Sequence, residues 1–341
     1  MPQTLDQAVQ NAYSDLHAAC LTPAFDGKGV SFTRKTIKGQ SYIYVSAKVG
    51  NVPVQRYIGP DNPETQALIE QEKQLWASTD AARATRARLV NMLLASGING
   101  PGPQEGKILR MLERAGVFLA GGVLIGTPAF RIMGTMLGVA WEGQFATRDV
   151  DIAADYRLPV AVEQKTIDLK TVLEQSGMGF IEVPTLNTKH PATSYKMRGG
   201  EYCVELLTPE RGKPSDKPIK IPYLNAVAQP LRYLDYLIAE TQPAVVPFDI
   251  GILVNVPDPA RFAVHKLVIS QRRPAAFAAK SAKDIDQARQ LLAVLLETRP
   301  GAILAAVEAA EKVGAKFIQQ YTKATELLPA TLQRSLAEWT G

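Results

Sequence analysis

Thr147-Arg148-Asp149-Val150-Asp151-Ile152-Ala153 sets two carboxylates two residues apart in an apolar, β-favouring run. Along a strand, residues i and i+2 project from the same face, so Asp149 and Asp151 stand together with Cα atoms roughly 7 Å apart. Two like charges that close repel unless a cation sits between them, and hard oxygen ligands of this kind favour Mg²⁺ or Mn²⁺. Upstream lies a glycine pair, Gly121-Gly122. If that pair opens a helix, it supplies close backbone approach and free N–H groups for a phosphate. A carboxylate pair for metal and a glycine cradle for phosphate point together to nucleotide chemistry.

The rest of the composition narrows the setting. The 341 residues are 46% hydrophobic and 21% charged, enough for two or three packed globular units. A net charge of +5 is compatible with a phosphate-rich partner. Cys20 and Cys203 are the only cysteines, too far apart in sequence for a metal-ligand pattern or a disulfide framework, which fits a reducing cytoplasm. His17, His190 and His265 are scattered, which argues against a zinc site. The polar first ten residues carry no signal-peptide pattern, and the longest apolar run, 116–126, is too short to span a bilayer. These features predict a soluble, cytoplasmic protein with no membrane partner.

Four regions follow from the patterning. Residues 1–62 form a leading helix and a small β-unit, whose alternating stretch 31–59 reads as an antiparallel meander with a turn at Gly50-Asn51. Its Arg34, Lys35, Lys38, Lys48 and Arg56 interleave with Tyr42, Tyr44 and Tyr57, a surface able to stack bases and neutralise phosphates or simply a solvated appendage. Residues 63–103 read as a helical linker, one long helix or two with a break near 78–80, ending in a Gly/Pro-rich boundary. Residues 104–257 alternate: a helix over 104–114, a strand at 117–120, a helix at 123–137, a strand at 150–153, a helix at 162–175 and a strand at 180–183. A hairpin then turns at Gly199-Gly200 between strands 194–198 and 201–207, and two more strands lie at 244–248 and 252–256. Residues 258–341 are almost entirely helical.

Two-metal phosphoryl transfer calls for a third carboxylate. Tyr202-Cys203-Val204-Glu205-Leu206-Leu207 supplies one, Glu205, alone among apolar neighbours on a strand that could lie beside the Asp149/Asp151 strand. The ordered set resembles the DNA polymerase β-type nucleotidyltransferase superfamily: Gly121-Gly122, a helix, Thr147-x-Asp149-x-Asp151-Ile152, then an acid on a later strand. The 26 residues between Gly122 and Asp149 are similar to the longer spacing of the nucleotidyltransferase toxins of abortive-infection systems. A bacterial family described as a nucleotidyltransferase is closer still. Its hallmarks are Asp149-Val-Asp151-Ile-Ala, Val204-Glu205-Leu-Leu-Thr-Pro209, Pro257-Asp-Pro-Ala-Arg-Phe-Ala-Val-His-Lys266-Leu and Lys280-Ser-Ala-Lys283-Asp284-Ile-Asp286. Glu205 stands where aspartate is usual.

The resemblance, over about residues 104–300, implies an α+β fold: a polymerase-β-like core of mixed sheet flanked by helices, followed by a helical domain. It implies Mg²⁺-dependent transfer of a nucleoside monophosphate from an NTP to a hydroxyl acceptor. Asp149, Asp151 and Glu205 would be the metal ligands and catalytic acids, and Gly121, Gly122, Thr127 and Thr147 would line the nucleotide site. Lys266 and Lys283 would contact the triphosphate, or else belong to a solvated basic helix face. The acceptor stays open between RNA (a tRNA 3′ end, as in related toxins), a protein side chain and a small molecule, and an antitoxin partner would accompany a toxin. Two rivals stand beside this reading: a non-catalytic nucleic-acid-binding protein on the same scaffold, and an adenylyltransferase that modifies a small-molecule antibiotic.

Overall fold

A computed structural model describes all residues except 1, 22–29, 38, 50–51, 144–146, 158–166, 186–189 and 341, and all side chains of the remainder except those of 30, 45–49, 52–56, 72, 74–78 and 340. A short strand β1 (Gln3–Thr4) leads into α1 (Gln7–Leu21) and an antiparallel meander, β2 (Val30–Ile37), β3 (Gln40–Val49) and β4 (Val52–Pro60). The expected turn at Gly50-Asn51 lies outside the described residues. Asn62 starts α2 (Pro63–Ala95) by accepting the Thr65 N–H at 2.8 Å, with proline in the first turn. This helix is continuous, without the break considered near 78–80.

The central unit opens with α3 (Pro103–Arg114), stopped at Gly116 with φ +83°. Residues 117–120, expected as a strand, instead form turns, because the Gly121 and Gly122 N–H groups fold back onto the Phe118 and Val117 carbonyls. The helix expected over 123–137 also begins later. Val123 and Leu124 pair with Ala153 and Ile152, so they form β5 (Val123–Leu124), and α4 runs Gly126–Met136. Tertiary pairing has overridden local helical pattern there.

Next come β6 (Val139–Ala140), β7 (Asp149–Ala153), α5 (Leu169–Gln175), β8 (Phe180–Glu182), β9 (Ser194–Met197) and β10 (Cys203–Pro209). After them follow β11 (Ile219–Ile221), β12 (Ala226–Leu231), α6 (Leu234–Ile238) and a separate antiparallel pair, β13 (Thr241–Val246) and β14 (Ile252–Pro257). Part of the helix expected over 162–175 falls outside the described residues.

The main sheet has the order β11-β12-β10-β7-β5, with β7, β10 and β12 parallel and the outer strands antiparallel to them. One edge of β10 is shared: β9 pairs with its first residues and β12 with its last. Helices α7 (Pro259–Ser270), α8 (Ala278–Thr298), α9 (Pro300–Glu311), α10 (Ala315–Thr325) and α11 (Ala330–Thr340) complete the chain. Fully buried Ile152, Val204 and Leu206 of the sheet belong to one continuous apolar core with Leu267, Leu291 and Ile303 of these helices. A second cluster, including Leu16, Val90, Leu93 and Val245, pins α1 and the end of α2 to β13. The fold is the mixed α+β type expected. Among the described residues, no helix is long and apolar enough to cross a membrane.

Candidate active site

Strand alternation and register build the site. On β7, Val150 and Ile152 are fully buried, so Asp149 and Asp151 point the other way. On β10 the same holds for Val204 and Leu206 against Glu205. The two strands are direct parallel neighbours, with Glu205 level with Asp151 and Cys203 level with Asp149. Since adjacent strands lie about 4.8 Å apart, all three carboxylates emerge from one small patch of one sheet face. Asp149 is exposed, while Asp151 and Glu205 are half-buried.

That patch carries unresolved negative charge. Burial, then Glu205 and then Asp149 push the Asp151 carboxyl up to about 7, against the opposing pull of Lys266 and Lys280. Glu205 is raised as well, by burial and then by Asp149, and lowered by Lys280. The Cys203 thiol beside them is pushed up to about 11, chiefly by burial and then by the same three acids. Carboxylates in this condition hold protons tightly unless a cation takes their place.

The helix N-terminus nearest the acids is that of α4. The Ile125 N–H donates to the Asp151 carbonyl at 3.0 Å, and Gly126 follows at φ +69°. A Cβ at Gly126 would lie 2.7 Å from Asp151 Oδ2, so the first turn of α4 abuts the acid directly. Thr127 is buried there, its hydroxyl 3.5 Å from Gln287 Nε2 of α8.

Gly121 and Gly122 are not brought to this patch. β5 runs antiparallel to β7, and Val123 pairs with Ala153, so the glycine pair sits past the far end of β7 from Asp149. Their N–H groups are spent on Phe118 and Val117, and the Gly122 carbonyl accepts from Asn255 Nδ2 at 3.0 Å. A Cβ at Gly122 would meet the Val117 carbonyl oxygen at 2.7 Å, which gives that glycine a packing role. The glycine that adjoins the acids is Gly126. The start of this helix was legible in Gly126-Thr127-Pro128, a proline two residues after a glycine and in the helix's first turn.

The remaining predicted residues surround the acids in different ways. Thr147 accepts the Asp149 N–H at 3.3 Å and so steadies the strand entry. Lys266 is buried, its ammonium 2.7 Å from Asp284 Oδ1 rather than reaching into open space. Lys283 is held below its usual pKa by burial and then by the neighbouring Lys266 charge, with Asp284 and Asp149 acting in the opposite sense. Lys280, three residues before Lys283 on the same helical face, also acts by its charge on both Asp151 and Glu205. His265 is fully buried and its pKa falls to about 3, mainly through desolvation, so it is a neutral packing residue.

The donor set, three carboxylates with no nitrogen or sulfur ligand, is the chemistry that hard divalent cations prefer. The raised Asp151 and Glu205 carboxyls fit a cation's presence between them. Among the described residues, the side-chain oxygens are not already converged into a cluster of three acidic, histidine or cysteine ligands.

A family profile described as Nucleotidyltransferase matches residues 104–311, well over half of the chain. The chain belongs to that nucleotidyltransferase family. The matched span contains the acid-bearing strands, the α4 N-terminus and α7 to α9, so family membership and the carboxylate patch coincide. Nucleotidyl transfer is therefore its general activity. Comparisons with curated proteins and with solved structures gave no match.

Proposed function

We propose that this nucleotidyltransferase moves a nucleoside monophosphate from an NTP to a hydroxyl of a nucleic-acid acceptor, with Asp149, Asp151 and Glu205 as its working acids. The observation that carries this reading is the β7–β10 register, which sets three carboxylates on one face beside the N-terminus of α4. Asp149 and Asp151 would hold Mg²⁺ (or Mn²⁺), with Glu205 completing the set. The bound cation supplies Lewis-acid stabilisation of the phosphoryl oxygens and neutralises developing charge. The acceptor hydroxyl oxygen bonds to the α-phosphorus, the bond to the bridging oxygen breaks, and pyrophosphate leaves. Glu205, with its raised pKa, favours loss of the acceptor's proton. The first-turn N–H groups of α4 face phosphate with the positive end of the helix dipole, and Lys283 adds charge. Lys266 acts at a distance, its ammonium fixed by Asp284.

The N-terminal meander supports a nucleic-acid acceptor such as RNA. Residues 30–60 hold five Lys and Arg and no Asp or Glu, which equals the net +5 of the whole chain. On the described part of the sheet, Lys35 lies level with Tyr42, and Tyr44 level with Tyr57. Tyr57 is half exposed and meets Tyr42 and Tyr44 edge-on, with Lys35 Nζ 4.9 Å from the Tyr44 ring centroid. Ile43 points the opposite way and is buried, so the basic, aromatic side faces outward. Positive charge with exposed rings is the chemistry that holds single strands. A tRNA end as acceptor, a toxin-like role with a silencing antitoxin and a cytoplasmic setting extend the same reading.

The test is incubation of the protein with labelled NTPs, Mg²⁺ and total RNA. Label should enter the RNA fraction and vanish with Asp149→Ala or Asp151→Ala. Transfer that persists in both variants would remove the acids from the reaction.

A further inference from the structure

A charged cavity opens past the C-terminal end of β10. It encloses about 580 Å³ between the end of the main sheet and the helical domain, within the range of small-ligand sites, roughly 300–1,000 Å³. Its wall includes Arg232, Arg272, Arg273 and Lys316 against a single acid, Glu210. Glu210 follows the end of β10, five residues beyond Glu205 and so roughly 16 Å along the strand direction.

The cations here are held in place. Arg232 and Arg272 stand 5.7 and 5.0 Å from the centroid of the Tyr233 ring, which itself packs edge-on to Phe317 at 4.9 Å. Tyr233 is buried, so its ring serves as a platform for guanidinium groups and offers no face for a base. It also adopts φ +66°, a left-handed backbone uncommon for a large side chain and the kind of local strain that clusters at ligand sites. Arg273 is anchored through Nε to Asp284 Oδ2 at 2.5 Å. Glu210 is engaged already, accepting the Ser215 N–H at 2.9 Å and lying 3.8 Å from Arg232. Glu210 and Asp284 each engage one of the four cations, Arg232 and Arg273, so Arg272 and Lys316 leave a surplus of positive charge in a concave wall. Planar guanidinium forks match phosphate oxygens two at a time.

We propose that this cleft binds the terminal phosphate or pyrophosphate group of a small phosphorylated ligand, at a site separate from the Asp149/Asp151/Glu205 patch. The concave wall, and a Tyr233 ring already covered by guanidinium groups, favour a small ligand over a threaded strand.

Titration calorimetry on the full-length protein with inorganic pyrophosphate, in chelator-containing buffer free of divalent metal, tests this directly. Without metal, nucleotide chemistry at the carboxylates is silent, so failure of this site and failure of the proposed reaction are distinguishable. Saturable binding is expected. It should weaken at least tenfold in the Arg272→Glu/Lys316→Glu double variant, both positions being exposed and the fold checked by circular dichroism. It should persist in Asp149→Ala/Asp151→Ala. No saturable binding, binding unchanged in the double variant, or binding lost with the acid variant would each overturn the proposal. AMP should compete and adenosine should not. An oligonucleotide without terminal phosphates that bound more tightly than pyrophosphate would assign the cleft to a nucleic-acid backbone and overturn the small-ligand reading.

Discussion

Two charged clusters lie near one another in this molecule and differ in how their charge is satisfied. On the sheet, Asp149, Asp151 and Glu205 share a face and a sign, and the Asp151 carboxyl rises to about 7 as a result. Between α7 and α8, Asp284 is the more deeply buried acid, yet its two oxygens accept from Lys266 and Arg273 at 2.7 and 2.5 Å. A buried charge with matched partners is scaffold. Like charges set against one another in a partly buried patch are costly, and such patches cluster at functional sites.

The largest effect expected from breaking this contrast is on turnover. Asp151→Asn would remove a proposed cation ligand while keeping the side chain's size, and Asp149→Asn would do the same on the exposed side. Metal stabilisation of phosphoryl-transfer charge is worth several kcal/mol, so each variant should lose on the order of a thousandfold or more in kcat/KM. Steady-state assays with circular dichroism as a folding control would show it. A folded variant within tenfold of wild type would mean that the patch is not the reaction centre.

Asp284 should respond in the opposite way. Asp284→Ala leaves Lys266 buried without its partner, and breaking a buried pair from one side costs about 3–5 kcal/mol. Urea denaturation should report that loss. Joint replacement Lys266→Met/Asp284→Leu should recover much of it, because a paired charge can be exchanged for apolar packing at little cost. A neutral result for Asp284→Ala would show that the pair is more solvated than its burial implies.

Protonation sharpens the same contrast. An unfolded aspartate titrates near 3.9, whereas Asp151 in the folded chain titrates at about 7. The folded state therefore binds this proton more strongly, and stability falls as pH rises from about 4 towards 7, then levels off. In metal-free buffer, the melting temperature of Asp151→Asn minus that of wild type should grow across that window. Added Mg²⁺ has to displace the proton below pH 7, so its stabilising effect on wild type should be larger at pH 8 than at pH 6. A flat difference from pH 4 to 8 would mean that Asp151 ionises normally.

Much of this was legible in the sequence because it is local. Alternation in Asp149-Val150-Asp151-Ile152 exposes the acids and buries their neighbours on any half-covered strand, and Glu205 stands out as the lone acid of an apolar run. The pairing of β7 with β10 is long-range, and no pattern within either strand dictates a register of Glu205 with Asp151. β12 has no clear strand signal, because Pro230 argues against a sheet interior, and its parallel contact with β10 is confined to three residues at the strand's end. Lys266 illustrates a further limit. A lysine in a helix reads the same whether it reaches a ligand or a buried aspartate 18 residues later, and only packing distinguishes them.

The two glycines flanking β5 give the smallest effects and the finest discrimination. Gly126→Ala forces a side chain into φ +69°, at about 1–2 kcal/mol, and places its Cβ 2.7 Å from Asp151 Oδ2. The carboxylate must swing away, so the folded variant should lose roughly tenfold in kcat/KM, the equivalent of about 1.4 kcal/mol. Gly122→Ala instead meets the Val117 carbonyl oxygen, a backbone atom with little room to yield, at 2.7 Å. It should destabilise by about 1–3 kcal/mol, the usual range for an overpacked site, yet leave kcat/KM unchanged at temperatures where it stays folded. Equal loss of turnover in both folded variants would return the phosphate cradle to Gly121-Gly122. A selective loss in Gly126→Ala would place it at the first turn of α4, where the backbone already touches the acid.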